Sequence, residues 1–184
     1  MEREEFTLAQ NGDREAINTL VTTYQQPVFS LCYRMLGEGQ EAEDAAQETL
    51  IKAVTKLHTY DAARPFKPWL LRTASNECID RLRRRKPEVS LDGLGADGAW
   101  EWQAGSSPNP EAVLLEGERE ARVRALLETL SPQDRATIVM FYWEGLSYQE
   151  IAEAMDQTVS AIKSRLFRAR RSMAAEFMEG ALTA

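Results

Sequence analysis

Apolar side chains recur at three- and four-residue intervals through most of this chain, and no four to eight residues alternate cleanly between apolar and polar. The first pattern lines one face of an α-helix; the second is what a half-buried strand needs. An all-α fold is therefore predicted. Residues 14–36 carry such a stripe in Ile17, Leu20, Val21, Tyr24, Val28, Leu31 and Met35. Pro27 lies inside it and is expected to kink or break the helix, and Gly37 and Gly39 end it. A second helix is expected over 41–57. A third begins near Pro68, which suits a first helical turn, and runs to about Arg85. Between them Asp61-Ala62-Ala63-Arg64-Pro65 reads as a loop.

Residues 87–112 lose the period and gather Gly93, Gly95, Gly98, Gly105, Pro108 and Pro110. That composition marks a flexible linker. It divides the chain into two small helical domains, 1–87 and 113–184, with 88–112 between them, and each domain is long enough to bury a helical core. Periodicity resumes over 112–130. Ser131-Pro132 supplies an N-cap followed by proline at the first helical position. That helix is expected to reach about Trp143. Gly145 breaks it, and Ser147 caps the next with Glu150 three residues on, a capping box.

No apolar run approaches the roughly 18 residues a membrane helix needs, so no membrane insertion is expected. Met1-Glu2-Arg3-Glu4-Glu5 is no signal peptide. Two cysteines, Cys32 and Cys78, and one histidine, His58, form no disulfide framework and no zinc motif. A reducing, cytoplasmic setting follows, with no metal and no cofactor. Cys78 reads as a small buried apolar group. His58, at a helix end, reads as a partner of the helix dipole.

The net charge of −7 is unevenly spread. Residues 59–87 carry a net +5 and residues 158–184 a net +3, set among acidic stretches of −5, −6 and −4. Two compact basic blocks in an acidic chain are a pattern that the total conceals.

The second block ends a helix-turn-helix layout over 147–173, a short helix, a tight turn and a longer basic helix. Ala152 is small where two helices approach. Asp156 falls at the turn, where aspartate tolerates a positive φ. Val159, Ile162, Leu166, Ala169 and Met173 share the inner stripe of the second helix, and Ser160, Ser164, Phe167, Arg168 and Arg171 lie opposite with Lys163 on the flank. Arginine pairs with guanine in a major groove, while lysine and hydroxyls hold phosphates. Phe167 suits either a thymine methyl or a neighbouring helix.

In the first block, Leu71, Ala74, Cys78 and Leu82 form the inner stripe, and Trp69, Arg72, Asn76, Asp80 and Arg83 the outer one. A ring to stack on, cations for a backbone and an amide for a base edge are what a single-strand binder needs. The other reading has Trp69 closing the local core near Phe66. In 41–57, Ala46, Leu50, Ala53, Val54 and Leu57 face inward, and Glu41, Asp44, Glu48, Ile51 and Thr55 outward. An isoleucine exposed among carboxylates suggests a docking face for a basic partner helix.

Glu43-Asp44-Ala45-Ala46-Gln47-Glu48-Thr49, Pro65-Phe66-Lys67-Pro68-Trp69-Leu70-Leu71-Arg72 and the run Asn76 to Arg85 resemble the second region of bacterial extracytoplasmic-function (ECF) sigma factors. Leu130-Ser131-Pro132, the run Leu146 to Ala152 and the run Ile162 to Arg170 resemble their fourth region. The resemblance covers about 15–86 and 113–177. It implies a dissociable promoter-specificity subunit of RNA polymerase. Asp44, Gln47 and Glu48, with Ile51 beside them, would dock on the clamp helices of the largest polymerase subunit, and the C-terminal domain on the flap of the second-largest. Thr59, Tyr60, Asp61, Arg64 and Phe66 belong to the loop that would receive a flipped −10 base. Trp69, Arg72, Asn76, Asp80, Arg83 and Arg84 would hold the opened −10 strand. Ser160, Ala161, Lys163, Ser164, Phe167, Arg168 and Arg171 would read the −35 duplex. The linker acids Glu88, Asp92, Asp97 and Glu101 would thread the polymerase channel and mimic RNA. An anti-sigma factor is the implied antagonist. Asp156 stands where the family often has glycine, and Ala161 where it often has threonine.

No nucleotide-cradling glycine loop and no catalytic triad is visible, so the chain is not expected to be an enzyme. The alternative function is a helix-turn-helix repressor or activator with an N-terminal sensing domain, which predicts a dimer on palindromic sites.

Overall fold

A computed structural model describes the backbone of residues 3–61, 64–85 and 110–182, and the side chains of 5–61, 64–85 and 117–178. Every regular element among them is helical: α1 (Arg3–Gln10), α2 (Arg14–Leu36), α3 (Gly39–Lys56), a 3-10 turn (Leu57–Thr59), α4 (Phe66–Arg84), α5 (Pro110–Glu128), α6 (Pro132–Tyr142), α7 (Tyr148–Met155) and α8 (Val159–Leu182). The all-α expectation therefore holds. Most of 88–112 lies outside the described residues, as do Glu88, Asp92, Asp97, Glu101 and the loop residues Ala62 and Ala63.

Local chemistry sets the helix ends. The Asp13 carboxylate accepts from the Ala16 amide at 2.9 Å to cap α2. Glu38 accepts from the Gln40 and Glu41 amides at 2.9 and 2.7 Å to cap α3. Gly37 stops α2 in the left-handed region at φ 80, where a side chain is strained. Proline 27 breaks nothing: α2 runs straight through it. The carbonyl it strands belongs to Thr23 on the exposed face, which water can serve, while Val28, Leu31, Cys32 and Met35 beyond it are fully buried. Burial of that following turn outweighs one lost backbone bond.

The first half is a bundle of α2, α3 and α4, closed at one end by α1 and the 3-10 turn. The second half sets α7 and α8 against α6, with α5 leading in. These halves touch. Helices α2 and α4 pack on α6, and α4 also packs on α7. Helix α4 is thus covered from two sides, so Leu70, Ser75 and Ile79 are buried besides the expected Leu71, Ala74 and Cys78. Cys32 and Cys78 are buried, and a hydrogen bond with Cys32, then burial, pushes the Cys78 thiol up. It stays protonated and packs as a small apolar group.

One polar tie crosses α3 and α4. Glu77 accepts from Lys52 at 2.6 Å and from Arg81 at 2.8 Å. Burial pushes its carboxyl up, but the two hydrogen bonds outweigh burial and hold it below the ordinary value. A carboxylate lowered on folding contributes stability that is present above its unfolded pKa and lost as pH falls through the folded one. Glu77→Gln should therefore cost about 1–3 kcal/mol at pH 7. The gap from wild type should close on acidification below the ordinary 4.5. Urea melts at several pH values check this, and a pH-independent gap would assign the loss to packing instead.

Candidate nucleic-acid interface

The capping box that opens α7 is present: the Ser147 hydroxyl accepts from the Glu150 amide at 3.2 Å, and the Glu150 carboxylate accepts from the Ser147 amide at 2.8 Å. Asp156 ends the helix at φ 53, ψ 49, the left-handed turn expected of it. Ile151, Ala152 and Ala154 of α7 and Ile162, Leu166 and Ala169 of α8 are buried between the two helices and α6. Arg165 fixes α8 from behind, donating to Asp134 at 2.8 Å and Gln133 at 3.2 Å.

That packing turns Ser160, Lys163, Ser164, Phe167, Arg168 and Arg171 to solvent, with Ala161 half-buried beside them. Phe167 is 64% exposed, so it faces outward rather than a neighbouring helix. Lys163 leans over Tyr148, its ammonium 5.6 Å from the ring centre, and Tyr148 stacks on Phe141 at 5.1 Å. This cation–π contact holds the lysine at the edge of the face.

On α4, Arg72, Asn76, Asp80, Arg83 and Arg84 are exposed. Asp80 and Arg83 lie 3.8 Å apart, an open surface pair. Trp69 departs from the outward placement. Its ring is half-buried, 5.0 Å from Tyr60 and 5.4 Å from Phe66. Phe66 sits in an aromatic cluster with Phe6, Tyr24 and Tyr60, at ring separations of 5.1–5.3 Å. Tyr60 and Phe66, expected in a base-receiving loop, are therefore buried, because the chain bends back over α1 and turns both rings inward. Burial, helped by the charge of Asp61, pushes the Tyr60 phenol up to about 12; its hydroxyl donates to the Arg64 carbonyl. Thr59, Asp61 and Arg64 stay exposed.

On α3, Asp44, Gln47 and Ile51 are exposed, Ile51 by 62%. Glu48 is half-buried and pairs with Lys52 at 3.3 Å. Helix α3 shows this acidic, apolar-centred face on the side of the bundle away from α2 and α4.

The seam between the halves was not legible in the sequence. Lys67 Nζ reaches the Glu144 carboxylate at 3.1 Å and the Glu144 carbonyl at 2.7 Å. Arg72 donates to the Glu153 carbonyl at 3.4 Å. Arg34 lies 5.0 Å over the Trp143 ring. Arg124 donates to the Tyr33 hydroxyl. Arg135 is buried and donates to the Met35 carbonyl at 2.6 Å and the Glu128 carbonyl at 3.0 Å. Met35 is in the last turn of α2, where carbonyls lack helical partners, so Arg135 caps one half from the other. Lys67 had a sequence signal, as a base in the first block. Glu144 and Arg135 had none, since their partners lie 77 and 100 residues away.

Residues 20–88 match the family model "Sigma-70 region 2", and residues 120–173 match "Sigma-70, region 4". The chain is 34% identical over 166 residues to the ECF RNA polymerase sigma factor SigW of Bacillus subtilis, covering 88% of this chain and 89% of that one. It is 35% identical over 171 residues to the ECF RNA polymerase sigma-E factor of Escherichia coli, covering 89% and 87%. Among solved structures, CnrH in complex with the cytosolic domain of CnrY superposes with a TM-score of 0.71 at 26% identity, covering 96% and 97% of the two chains. The sigma factor RpoE of Bartonella quintana, solved with the anti-sigma factor NepR, has the same fold, with a TM-score of 0.64 at 23% identity over 85% and 92%. A sensing domain ahead of a repressor's helix-turn-helix is not favoured, since the N-terminal half is itself sigma region 2. Two regions in sigma order, on two helical bundles, with relatives at this identity over most of their length, place the chain in the sigma-70 family, among the ECF RNA polymerase sigma factors.

Proposed function

We propose that this promoter-specificity subunit divides its work among three faces. The exposed face of α3, with Asp44, Gln47, Glu48 and Ile51, docks on core polymerase at basic helices of the clamp. The outer face of α8, with Lys163, Ser164, Phe167, Arg168 and Arg171, enters the major groove at −35. Arg72, Asn76, Asp80, Arg83 and Arg84 on α4, with Thr59, Asp61 and Arg64 before it, hold the opened −10 strand, and the half-buried ring of Trp69 borders them.

The outer face of α8 carries this reading. It is exposed, basic and rich in short hydroxyls, on a helix fixed from behind by buried apolar residues and by Arg165. Such a face holds phosphates with lysine and serine and reads base edges with arginine. A protein antagonist is part of the reading: CnrH is solved with the cytosolic domain of CnrY, and an anti-sigma factor of that kind is the partner inferred here. No bond-making step is assigned to the chain.

Docking gives the direct test. Reversing both charges, Asp44→Lys with Glu48→Lys, should weaken binding to core polymerase by at least tenfold and abolish run-off transcription, while helicity by circular dichroism is kept. About 1.4 kcal/mol is a factor of ten, which the loss of two charge contacts and two new repulsions exceeds. Unchanged core affinity in a fluorescence titration would move the docking face elsewhere.

A further inference from the structure

None of the three faces includes α1, yet α1 holds the backbone that carries the residues placed before α4 at −10. Gln10, the last residue of α1, is half-buried. Its side-chain nitrogen donates twice, to the Leu57 carbonyl at 3.0 Å and to the Tyr60 carbonyl at 2.7 Å. An amide nitrogen has two N–H groups, so both are used. The two acceptors bracket His58 and Thr59, where the chain leaves α3 through the 3-10 turn. Carbonyls at a helix end lack donors from a following turn, and Gln10 supplies them from a helix 47 and 50 residues away.

Tyr60 passes that anchoring on. Its hydroxyl donates to the Arg64 carbonyl, and the Arg64 amide donates to the Asp61 carbonyl at 3.0 Å. Its ring packs edge-on against Phe6 at 5.2 Å and Phe66 at 5.3 Å, and Phe6 and Ala9 of α1 are themselves buried. Thr59, Asp61 and Arg64, all exposed, thus hang from a residue that α1 grips by its carbonyl and by its ring. We propose that Gln10 is a positioning residue for −10 recognition: its double donation sets the backbone of Thr59, Asp61 and Arg64 in the shape that accepts an unstacked base, without touching the strand itself. A receiving site ordered beforehand loses no affinity to ordering on binding. The correct base makes all the contacts of that site and a wrong base few of them. Loosening the site therefore lowers affinity for the correct base and leaves the wrong base nearly as it was, while phosphate contacts are common to both and cancel in the ratio.

This inference rests on reading Thr59, Asp61 and Arg64 as −10 contacts, and its test keeps the two apart. Holoenzyme is reconstituted from core polymerase and the full chain, and run-off selection from a randomised template pool yields a promoter for wild type. Each −10 base of that promoter is then replaced singly. Discrimination is the ratio of transcript from the preferred base to transcript from its replacement. Asp61→Ala and Arg64→Ala should lower it at one position, which identifies the base they read. At that position Gln10→Ala should lower discrimination about five- to tenfold, the size of one neutral hydrogen bond, with core affinity unchanged. Gln10→Glu keeps the shape but carries a carboxylate that cannot donate, and should lower it as far. Glu38→Ala removes the cap at the opposite end of α3; it should lower stability in a urea melt and leave discrimination intact. Unchanged discrimination in Gln10→Ala, beside a loss in Asp61→Ala, overturns the positioning role and leaves the −10 reading standing. Discrimination kept by Gln10→Glu would assign the effect to packing, and an equal loss in Glu38→Ala would assign it to stability; either result overturns the role as well. If Asp61→Ala and Arg64→Ala change discrimination at no position, the −10 reading of these residues fails, and the inference falls with it.

Discussion

Arg168→Ala should cost about 1–3 kcal/mol of promoter affinity if its guanidinium reads a guanine, and a −10 bubble opened in advance should not restore it. Asn76→Ala should fail later, in strand opening and capture. The two side chains are exposed on helices whose backbones other residues hold, so neither substitution should disturb the fold. Trp69→Ala is the compound case. Stacking on a base is worth about 1–3 kcal/mol, but the ring also packs on Tyr60 and Phe66, and its removal lowers stability as well. Run-off transcription on intact and pre-melted templates, with a melt for each variant, separates these effects. A bubble that partly rescues Trp69→Ala marks the ring as a wedge that opens the duplex; no rescue marks it as a reader of the opened strand. Normal transcription by Asn76→Ala and Trp69→Ala from intact duplex would reduce the polar face of α4 to a solvated surface.

Arg135→Ala should produce the largest loss of stability among the polar substitutions, about 2–4 kcal/mol, because it removes two charge-assisted hydrogen bonds and leaves carbonyls unpaired. Arg135 is 6% exposed and burial lowers the pKa of its guanidinium, yet it stays charged at any pH at which the protein folds. Its Nε has no hydrogen-bond partner among the described residues, which trims the gain from keeping it. The effect should have a second signature. Arg135 joins the end of α2 to α5 and α6, so wild type should unfold in one urea transition and the variant in two, as each half loses its coupling to the other. A single unshifted transition would show that the apolar part of the seam couples the halves without it.

The closed seam and the exposed α8 face together explain how an acidic chain can still serve as a DNA reader. Several of its basic residues outside α8 are spent on internal partners. Lys52 and Arg81 hold Glu77, Arg85 holds Glu41 and Lys67 holds Glu144, and on α8 itself Arg165 holds Asp134 from the inner side. Exposed bases remain on α8, at Lys163, Arg168 and Arg171, and in the last turn of α4, at Arg84 and at Arg83 in its open pair with Asp80.

Much of this was legible in the residues alone. The capping box at Ser147, the left-handed Asp156 and the inner stripe Ile162, Leu166 and Ala169 are governed by contacts a few residues apart, and helical periodicity and turn chemistry report such contacts directly. The outer face of α8 followed, since a helix with one face buried has only one other face to show. The tertiary structure decided the rest. Pro27 did not break α2, because burial beyond it outweighed a lost backbone bond. Tyr60 and Phe66 turned inward and drew Trp69 halfway with them, because α1, which the apolar pattern did not reveal, completes their aromatic cluster. The seam of Lys67 with Glu144 and Arg135 with Met35 joins residues 77 and 100 positions apart. A periodic pattern says which face of a helix is covered, but the partner that covers it is chosen by packing across the whole chain.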